Sequence, residues 1–160
     1  MSAKLGRRAE SVQQALAGHG LELSVIELAE SCRTAIQASE AVDCELGQIV
    51  KSLVFRISKT QTPILVTASG SNRVSEKKIC QQLGKSISRA NADFVREHTG
   101  YAIGGVAPLG HPKPIQTFID EDLFQYDKIW AAAGTPNALF SMRPEDLKIM
   151  TRGLVTDIRE

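Results

Sequence analysis

The segment from Gly100 to Pro114, GYAIGGVAPLGHPKP, limits the possible folds more than any other part of the chain. Five glycines and prolines fall within the nine residues from Gly104 to Pro112: Gly104, Gly105, Pro108, Gly110 and Pro112. Glycine adopts backbone conformations that other residues avoid, and proline has no amide donor, so this segment cannot form a helix or an inner strand. The sequence therefore predicts a shaped loop.

Gly104 to Pro108 within this loop reads Gly-x-x-x-Pro. A bare glycine lets a ligand approach the main chain, and a proline four residues later stiffens the return. Loops of this kind on a rigid scaffold often bind ligands. A tight connection between two strands is the alternative that the residues leave open.

Lys51 is the second unusual feature, because it interrupts an apolar face. Residues 49–57, IVKSLVFRI, read as a strand, and alternation places Lys51 with Leu53 and Phe55 on one face. An ammonium group in such surroundings needs a specific partner or access to water. Either Lys51 serves a site, or it lies near the start of the strand and reaches solvent.

The length of 160 residues predicts one domain that spans residues 1–160. No apolar run approaches the roughly 20 residues of a membrane span, and the N-terminus MSAKLGRRAE lacks the apolar core of a signal peptide. Cys32, Cys44 and Cys80 are an odd number without Cys-x-x-Cys spacing, which is typical of reduced thiols. We therefore expect a cytoplasmic protein without a membrane partner.

The histidines and the charge limit the possible ligands. His19, His98 and His111 are scattered without metal-ligand spacing, so we expect neither a metal nor a cofactor. The formal net charge of +1 argues against a generic polyanion binder and against DNA as a partner. Local nucleic-acid contacts remain open in two basic groups, each of which could equally be a solvated helix face: Lys4, Arg7 and Arg8, and Arg73, Lys77, Lys78, Lys85 and Arg89.

Periodicity and turn residues predict about seven strands and four or five helices in mixed order. The first helix is predicted over residues 2–17, and Thr34 with Gln37 is predicted to form a capping box. Gly84 is predicted to end a later helix, and Asn91 to cap a short helix that stops at Gly100. The run ILVTAS is expected to pair with the Lys51 strand. The fold class is α/β (α+β): a single domain on a strongly curved mixed sheet surrounded by helices.

Common catalytic motifs are absent from the sequence, including the Gly-x-Ser-x-Gly elbow and the phosphate-binding loop. Ser75 to Lys78 spells Ser-x-x-Lys, but on a basic, polar helix we interpret this as coincidence. His111 is a possible general base without an evident orienting carboxylate. The chain thus offers a loop and a lysine, without a nucleophile.

These residues resemble the YbaK/ProX-type aminoacyl-tRNA deacylases, which are similar to the editing domain inserted in bacterial prolyl-tRNA synthetases. The resemblance runs from Leu21 to Ile158. It rests on Thr34-Ala35, on the strand QIVKSLVF with Lys51, on ILVTASG, Leu83-Gly84, the Gly104 to Pro108 loop and AAAGTPNALF. The order and spacing of Lys51 and the loop are its specific part.

The resemblance implies a YbaK-like fold and a freestanding enzyme that hydrolyses the ester joining a wrong, small amino acid to tRNA. It also implies that Lys51 and Gly104 are catalytic, and that Val106 and Pro108 belong to the loop that holds the substrate. Further substrate-binding positions lie in segments that differ among family branches: Gly105, His111, Gly134, Thr135 and Asn137. Ser69 and Gly70 either edge the pocket or form a structural turn.

Aminoacyl-tRNA is the expected partner, through its acceptor end, and a synthetase partner is left open. Hydrolysis of an activated ester needs no covalent nucleophile, because a positioned water, main-chain donors and a nearby cation can suffice. Two other classes of function remain: a non-catalytic module that binds tRNA or a synthetase, and a sensor of a free nucleotide or amino acid.

Overall fold

The computed structural model describes residues 5–160, in which five α-helices and eight strands follow one another in mixed order. The helices are Arg7–Gly18 (α1), Ala35–Ala41 (α2), Glu76–Leu83 (α3), Ala92–Thr99 (α4) and Pro144–Thr151 (α5). The strands are Val25–Glu27 (β1), Val50–Ile57 (β2), Pro63–Ser69 (β3), Ile87–Arg89 (β4), Gln116–Asp120 (β5), Ile129–Ala132 (β6), Ala138–Met142 (β7) and Leu154–Thr156 (β8). Two short 3₁₀ helices, Leu46–Gln48 and Glu121–Gln125, complete the order.

The strands form two sheets. The larger has the order β4-β2-β3-β5-β8, with β3 parallel to β5 and β5 parallel to β8, while β2 is antiparallel to both neighbours. The smaller sheet has the antiparallel order β1-β7-β6. A single parallel bridge between Ile49 and Trp130 joins the two sheets at the beginning of β2.

The edge of β2 is only partly covered. On one side β3 pairs with the strand from Val50 to Arg56, whereas on the other side β4 pairs only with Phe55, Arg56 and Ile57. The first half of β2 therefore presents an open edge between β4 and the Ile49–Trp130 bridge.

Alternation along β2 divides its side chains between two hydrophobic clusters, as the sequence predicts. Phe55 and Ile57 pack with Ile79 of α3 in one cluster, and Val50 and Val54 belong to the other, which includes buried residues of α1 and the smaller sheet. A third cluster packs α2 against the beginning of β2 and against β7. The larger sheet is therefore covered on both faces, which fits an α/β domain.

Local signals fix several element ends where the sequence predicts them. Thr34 and Gln37 form the expected capping box at the start of α2. Asn91 caps α4 through its side chain, and Gly84 and Gly100 end α3 and α4 in the left-handed conformation. Each of these residues supplies what the helix end lacks, so the helix boundaries follow from local chemistry.

The predicted fold class is confirmed, with two differences in detail. The strands number eight within residues 5–160 rather than about seven, because the short strand β4 was missed. They also form two bridged sheets rather than one continuous curved sheet. The first helix begins at Arg7, and its predicted start at residue 2, like Lys4, lies outside the described residues. None of the described helices is long and apolar enough to cross a membrane.

Candidate active site

A cavity of about 690 Å³ lies at the open edge of β2. Residues 50–55 all line it, on both faces of the strand, because neither β4 nor the smaller sheet covers this edge. The other walls come from α2, the segment before α3, the Gly104 loop and β6. A volume of this size is typical of small-molecule sites.

Lys51 lines this cavity and is half-buried. Its Nζ donates a hydrogen bond of 2.5 Å to the main-chain carbonyl oxygen of Asn72. Burial lowers the pKa of the Lys51 ammonium from its ordinary value; the negative charge of Asp120 opposes this shift and the positive charge of Arg73 adds to it. One of its three donors is therefore engaged, and the others are available to a ligand.

The carbonyl that holds Lys51 belongs to a tightly fixed residue. Asn72 Nδ2 donates to Asp120 Oδ2 at 2.9 Å and to Asp122 Oδ2 at 2.8 Å, and the Asn72 amide donates to Ser69 O at 3.0 Å. Asp120 is buried and also accepts hydrogen bonds from the main-chain amides of Ser69 and Asp122, each at 2.9 Å. A chain of hydrogen bonds thus connects the Lys51 ammonium, through Asn72, to a buried carboxylate.

The Gly104 loop enters the cavity with Ile103, Gly104 and Val106. Gly104 is exposed, has a φ of 93°, and would have open space around an added Cβ. The amide of Gly105 donates to Ala102 O at 3.0 Å, whereas the Gly104 amide has no hydrogen-bond partner among residues 5–160. The Gly104 amide is therefore a free main-chain donor in the part of the loop that lines the cavity.

The loop rests directly on the turn between β6 and β7. A Cβ on Gly105 would lie 2.8 Å from the Cα of Thr135, so main chain packs on main chain at this point. Gly134 has a φ of 97° and approaches the main chain of Arg8 in α1. The Tyr101 hydroxyl donates to Leu109 O at 3.1 Å and ties the two ends of the loop together.

Other predicted site residues lie behind this contact. Thr135 Oγ1 donates to Asn137 Oδ1 at 2.8 Å, and Asn137 Nδ2 donates to Leu28 O at 3.1 Å, which holds the β6–β7 turn against β1. Their neighbour Pro136 lines the cavity, but Gly134, Thr135 and Asn137 do not. Pro108, at the end of the loop, is buried, and neither Pro108 nor Gly105 lines the cavity.

His111 also lies outside the cavity lining. Its Nε2 is 2.8 Å from Ala107 O, and its ring contacts Tyr101 edge-on. Burial lowers the pKa of the imidazole, and the hydrogen bond to Ala107 opposes that shift. These contacts hold the loop in shape.

Ser69 and Gly70 occupy the end of β3 away from the cavity lining. Ser69 is buried, and its Oγ donates to Gly47 O at 2.7 Å. An added Cβ on Gly70 would collide with the carbonyl oxygen of Leu46. Both contacts join the end of β3 to the 3₁₀ helix before β2. They correspond to the alternative in which Ser69 and Gly70 form a structural turn.

Two features of the cavity wall were not anticipated from the sequence. The first is an apolar wall in which six residues pack together: Cys32, Ala35, Ala38, Ile49, Trp130 and Leu139. Burial raises the pKa of the Cys32 thiol, and the charge of Glu30 adds to that effect, so Cys32 acts as an apolar wall residue. The second is Ser52, whose buried Oγ has no hydrogen-bond partner. A buried hydroxyl without a partner is destabilising, and this atom is not exposed to the cavity space.

The cavity is also surrounded by cationic side chains. Arg33, Arg73 and Arg89 line it together with Lys51, while Glu76 and Glu160 are its only carboxylate residues within the described chain. The three arginines are exposed and form no ion pair within residues 5–160. A chain with a net charge of only +1 therefore concentrates unpaired positive charge at this opening.

Comparison with known proteins identifies the family. The sequence profile of the aminoacyl-tRNA editing domain matches residues 29–149, and the chain belongs to this family. The predicted resemblance to the YbaK/ProX-type editing domains, which are related to the editing domain of prolyl-tRNA synthetase, is confirmed. Within residues 5–160, no group of three His, Cys, Asp or Glu side chains is placed to hold a metal ion.

Three relatives illustrate the match. The chain is 32% identical to the uncharacterised protein YwhH of Bacillus subtilis over 126 residues, covering 79% of this chain and 80% of YwhH. It is 29% identical to EbsC of Enterococcus faecalis, a candidate Cys-tRNA(Pro)/Cys-tRNA(Cys) deacylase, over 78% of this chain and 76% of EbsC. A crystal structure of a candidate trans-editing enzyme for prolyl-tRNA synthetase is 44% identical, with a TM-score of 0.93 over 98% of this chain and 99% of that chain.

Sequence reasoning missed Asn72, Asp120, Ser52 and the apolar wall, because each depends on contacts between distant segments. Asn72 and Asp120 lie 48 residues apart. One signal was available for Asp120: an acidic residue directly follows the apolar run of β5. A carboxylate at that position is expected to have a buried partner.

Proposed function

We propose that this protein hydrolyses the ester bond between the 3′ end of a misacylated tRNA and a small, wrongly attached amino acid. The observation that carries the proposal is that the Lys51 ammonium and the unpaired Gly104 amide belong to one cavity in a member of the aminoacyl-tRNA editing family. Both are donors suited to the negative charge that develops when an ester is attacked.

The reaction needs only water as the nucleophile. The water oxygen bonds to the ester carbonyl carbon, the carbonyl oxygen gains negative charge, and the bond from that carbon to the ribose oxygen then breaks. The ribose oxygen recovers a proton, and the amino acid leaves as a free acid. The neighbouring ribose hydroxyl of the substrate can assist the proton transfer, since no protein nucleophile is required.

Lys51 acts as a charge stabiliser in this mechanism. One of its protons is directed to Asn72 O, so a second can be directed to the developing oxyanion or to the RNA end. The Gly104 amide supplies a neutral donor whose position is fixed by the contact of Gly105 with Thr135.

The arginines around the opening support an RNA substrate. Arg33, Arg73 and Arg89 lack carboxylate partners in the described chain and are free to contact phosphates of the acceptor end. The apolar wall beside Trp130 offers a surface for an adenine base or a small aliphatic side chain.

The decisive experiment is a deacylation assay on a panel of misacylated tRNAs. Cysteine heads the panel because EbsC is named for Cys-tRNA substrates, followed by alanine, serine and threonine. Hydrolysis of at least one member, above the spontaneous rate, is the expected result. Saturable tRNA binding without turnover would identify a binding module, and tight binding of free nucleotide or amino acid without turnover would identify a sensor; either outcome contradicts the proposal.

A second assay separates RNA contacts from the reacting group. An aminoacyl-adenosine carries the ester but no phosphates, so Arg33→Gln and Arg89→Gln should raise KM for aminoacyl-tRNA and leave aminoacyl-adenosine hydrolysis unchanged. Arg152→Gln is the matched control, because Arg152 lies outside the cavity lining at the end of α5. An equal KM increase for both substrates would argue against phosphate contacts.

A further inference from the structure

A buried carboxylate lies close to Lys51 without touching it. Asp120 is 1% exposed and accepts hydrogen bonds from Ser69, Asn72 and Asp122, while no cation forms an ion pair with it within the described chain. Buried charges are rarely kept without a partner of opposite sign, because desolvation is unfavourable. The cation that feels the Asp120 charge is Lys51.

Asn72 connects the two groups. Its side-chain amide uses both protons on the carboxylates of Asp120 and Asp122, and its main-chain oxygen accepts the hydrogen bond from Lys51 Nζ. Asp122 in turn forms an ion pair with Arg159 at 3.0 Å. The C-terminal segment therefore helps to hold the unit formed by Asn72, Asp120 and Asp122 in place. The carbonyl that accepts the hydrogen bond from Lys51 therefore cannot rotate away without breaking several other hydrogen bonds.

We propose that Asn72 and Asp120 are positioning residues for Lys51, with Asp120 serving as its indirect counter-ion. Asn72 fixes the direction of the ammonium, and Asp120 keeps the ammonium protonated from a distance. A direct Lys–Asp ion pair would use the ammonium charge and a donor that the substrate needs; the intervening Asn72 leaves both available. This inference rests on the proposed catalytic use of Lys51.

Two charged side chains near Lys51 shift its pKa in opposite directions. The Asp120 charge raises the pKa of Lys51 and the Arg73 charge lowers it, against the lowering by burial. Asp120→Asn should therefore lower the pKa of Lys51 further, and Arg73→Gln should raise it. Other charged residues of the unit and the cavity wall stay in place in both variants: Asp122, Arg159, Glu76, Glu160, Arg33 and Arg89.

The first test measures Lys51 directly, without reference to catalysis. Carbon-13 labelling of the lysine ε-carbons gives a titration for each lysine, and the signal that disappears in Lys51→Arg belongs to Lys51. The expected result is a Lys51 titration at lower pH in Asp120→Asn and at higher pH in Arg73→Gln. Asp146→Asn is the matched control, since Asp146 is another buried capping carboxylate and lies outside the cavity lining.

The second test measures turnover. In Asp120→Asn the alkaline limb of the plot of kcat against pH should move to lower pH. In a Lys51→Arg background, where the cation does not titrate, Asp120→Asn should leave that limb unchanged. Asn72→Ala should lower kcat by roughly tenfold to a hundredfold with little change in KM, because the ammonium loses its fixed position. Asp146→Asn should lower stability without either effect.

The outcomes separate the two proposals. A Lys51 titration that is unchanged in Asp120→Asn, in protein that remains folded by circular dichroism, overturns the counter-ion role. An Asn72→Ala variant with wild-type kcat overturns the positioning role. Absence of hydrolysis by the wild-type protein refutes the proposed function instead, and the lysine titration still decides the inference.

Discussion

The substitution Lys51→Met tests whether the Lys51 ammonium serves catalysis or stability. Methionine keeps most of the length and volume of the side chain and removes the ammonium. In the folded protein this relieves the desolvation of a half-buried charge and leaves the Asn72 carbonyl without its donor, an effect of about 1 kcal/mol. These two effects oppose each other, and Asp120 keeps its three hydrogen bonds when the nearby cation is lost, so the free energy of unfolding should stay within about 1 kcal/mol of the wild-type value or rise.

The effect on turnover should be much larger. A donor aimed at the developing oxyanion in a sheltered site contributes about 3 kcal/mol to transition-state stabilisation. Since about 1.4 kcal/mol corresponds to a factor of ten in rate, Lys51→Met should lower the single-turnover rate roughly a hundredfold or more. Lys51→Arg should retain part of the activity, because it keeps the charge.

The assay combines thermal unfolding with single-turnover deacylation of the best substrate on the panel. Lys78→Met is the matched control, because Lys78 pairs with Asp157 at 2.7 Å and lies outside the cavity lining. It should keep full activity. A Lys51→Met protein that is stable and fully active would refute the mechanism, and a loss of activity only in proportion to unfolding would reduce Lys51 to a structural role.

Gly104→Ala should lower turnover strongly while the free energy of unfolding falls by only about 1–2 kcal/mol, because φ at Gly104 is 93° but an added Cβ meets open space. Gly84→Ala is the control, because Gly84 also has a positive φ and open space around an added Cβ. Equal activity of the two alanine variants would make the loop a simple turn. His111 is held neutral because burial lowers its pKa, so its contribution to stability is present above the ordinary pKa near 6.5 and is lost as the pH falls from there toward the folded-state value. Urea unfolding between pH 7 and pH 5 checks this, and His111→Gln should flatten that part of the profile; an unchanged slope would contradict the assignment. Activity should survive prolonged treatment with a chelator, since the proposed donors are Lys51 and a main-chain amide; loss under EDTA with recovery on adding zinc would require a different mechanism.

The parts of the site that the sequence predicts are those with a local signature. Lys51 stands out because it breaks an alternating pattern, and the loop stands out because glycine and proline restrict the backbone directly. The helix caps at Thr34 and Asn91 are local for the same reason. Such features need no knowledge of the rest of the fold.

The remaining features depend on long-range pairing. The strand β4 is only three residues long, too short for an alternating pattern to be distinguished from a loop. The division into two sheets is set by which strands pair, and the contact of Gly105 with Thr135 joins segments 30 residues apart in the chain. In the same way, the orphaned hydroxyl of Ser52 becomes unusual only once its surroundings are known.

The contact between Gly105 and Thr135 has a consequence for how such an enzyme can change its specificity. Because main chain meets main chain there, the loop that carries Gly104 takes its shape from backbone geometry, independently of the side chain at Thr135. The apolar wall of the cavity is built from exchangeable side chains, such as Cys32, Ala35 and Trp130. If the proposed function holds, substitutions in this wall can therefore reshape the space for the amino acid while the Gly104 loop keeps its backbone geometry. Selection for new substrates should accumulate on the α2 and β6 side of the cavity.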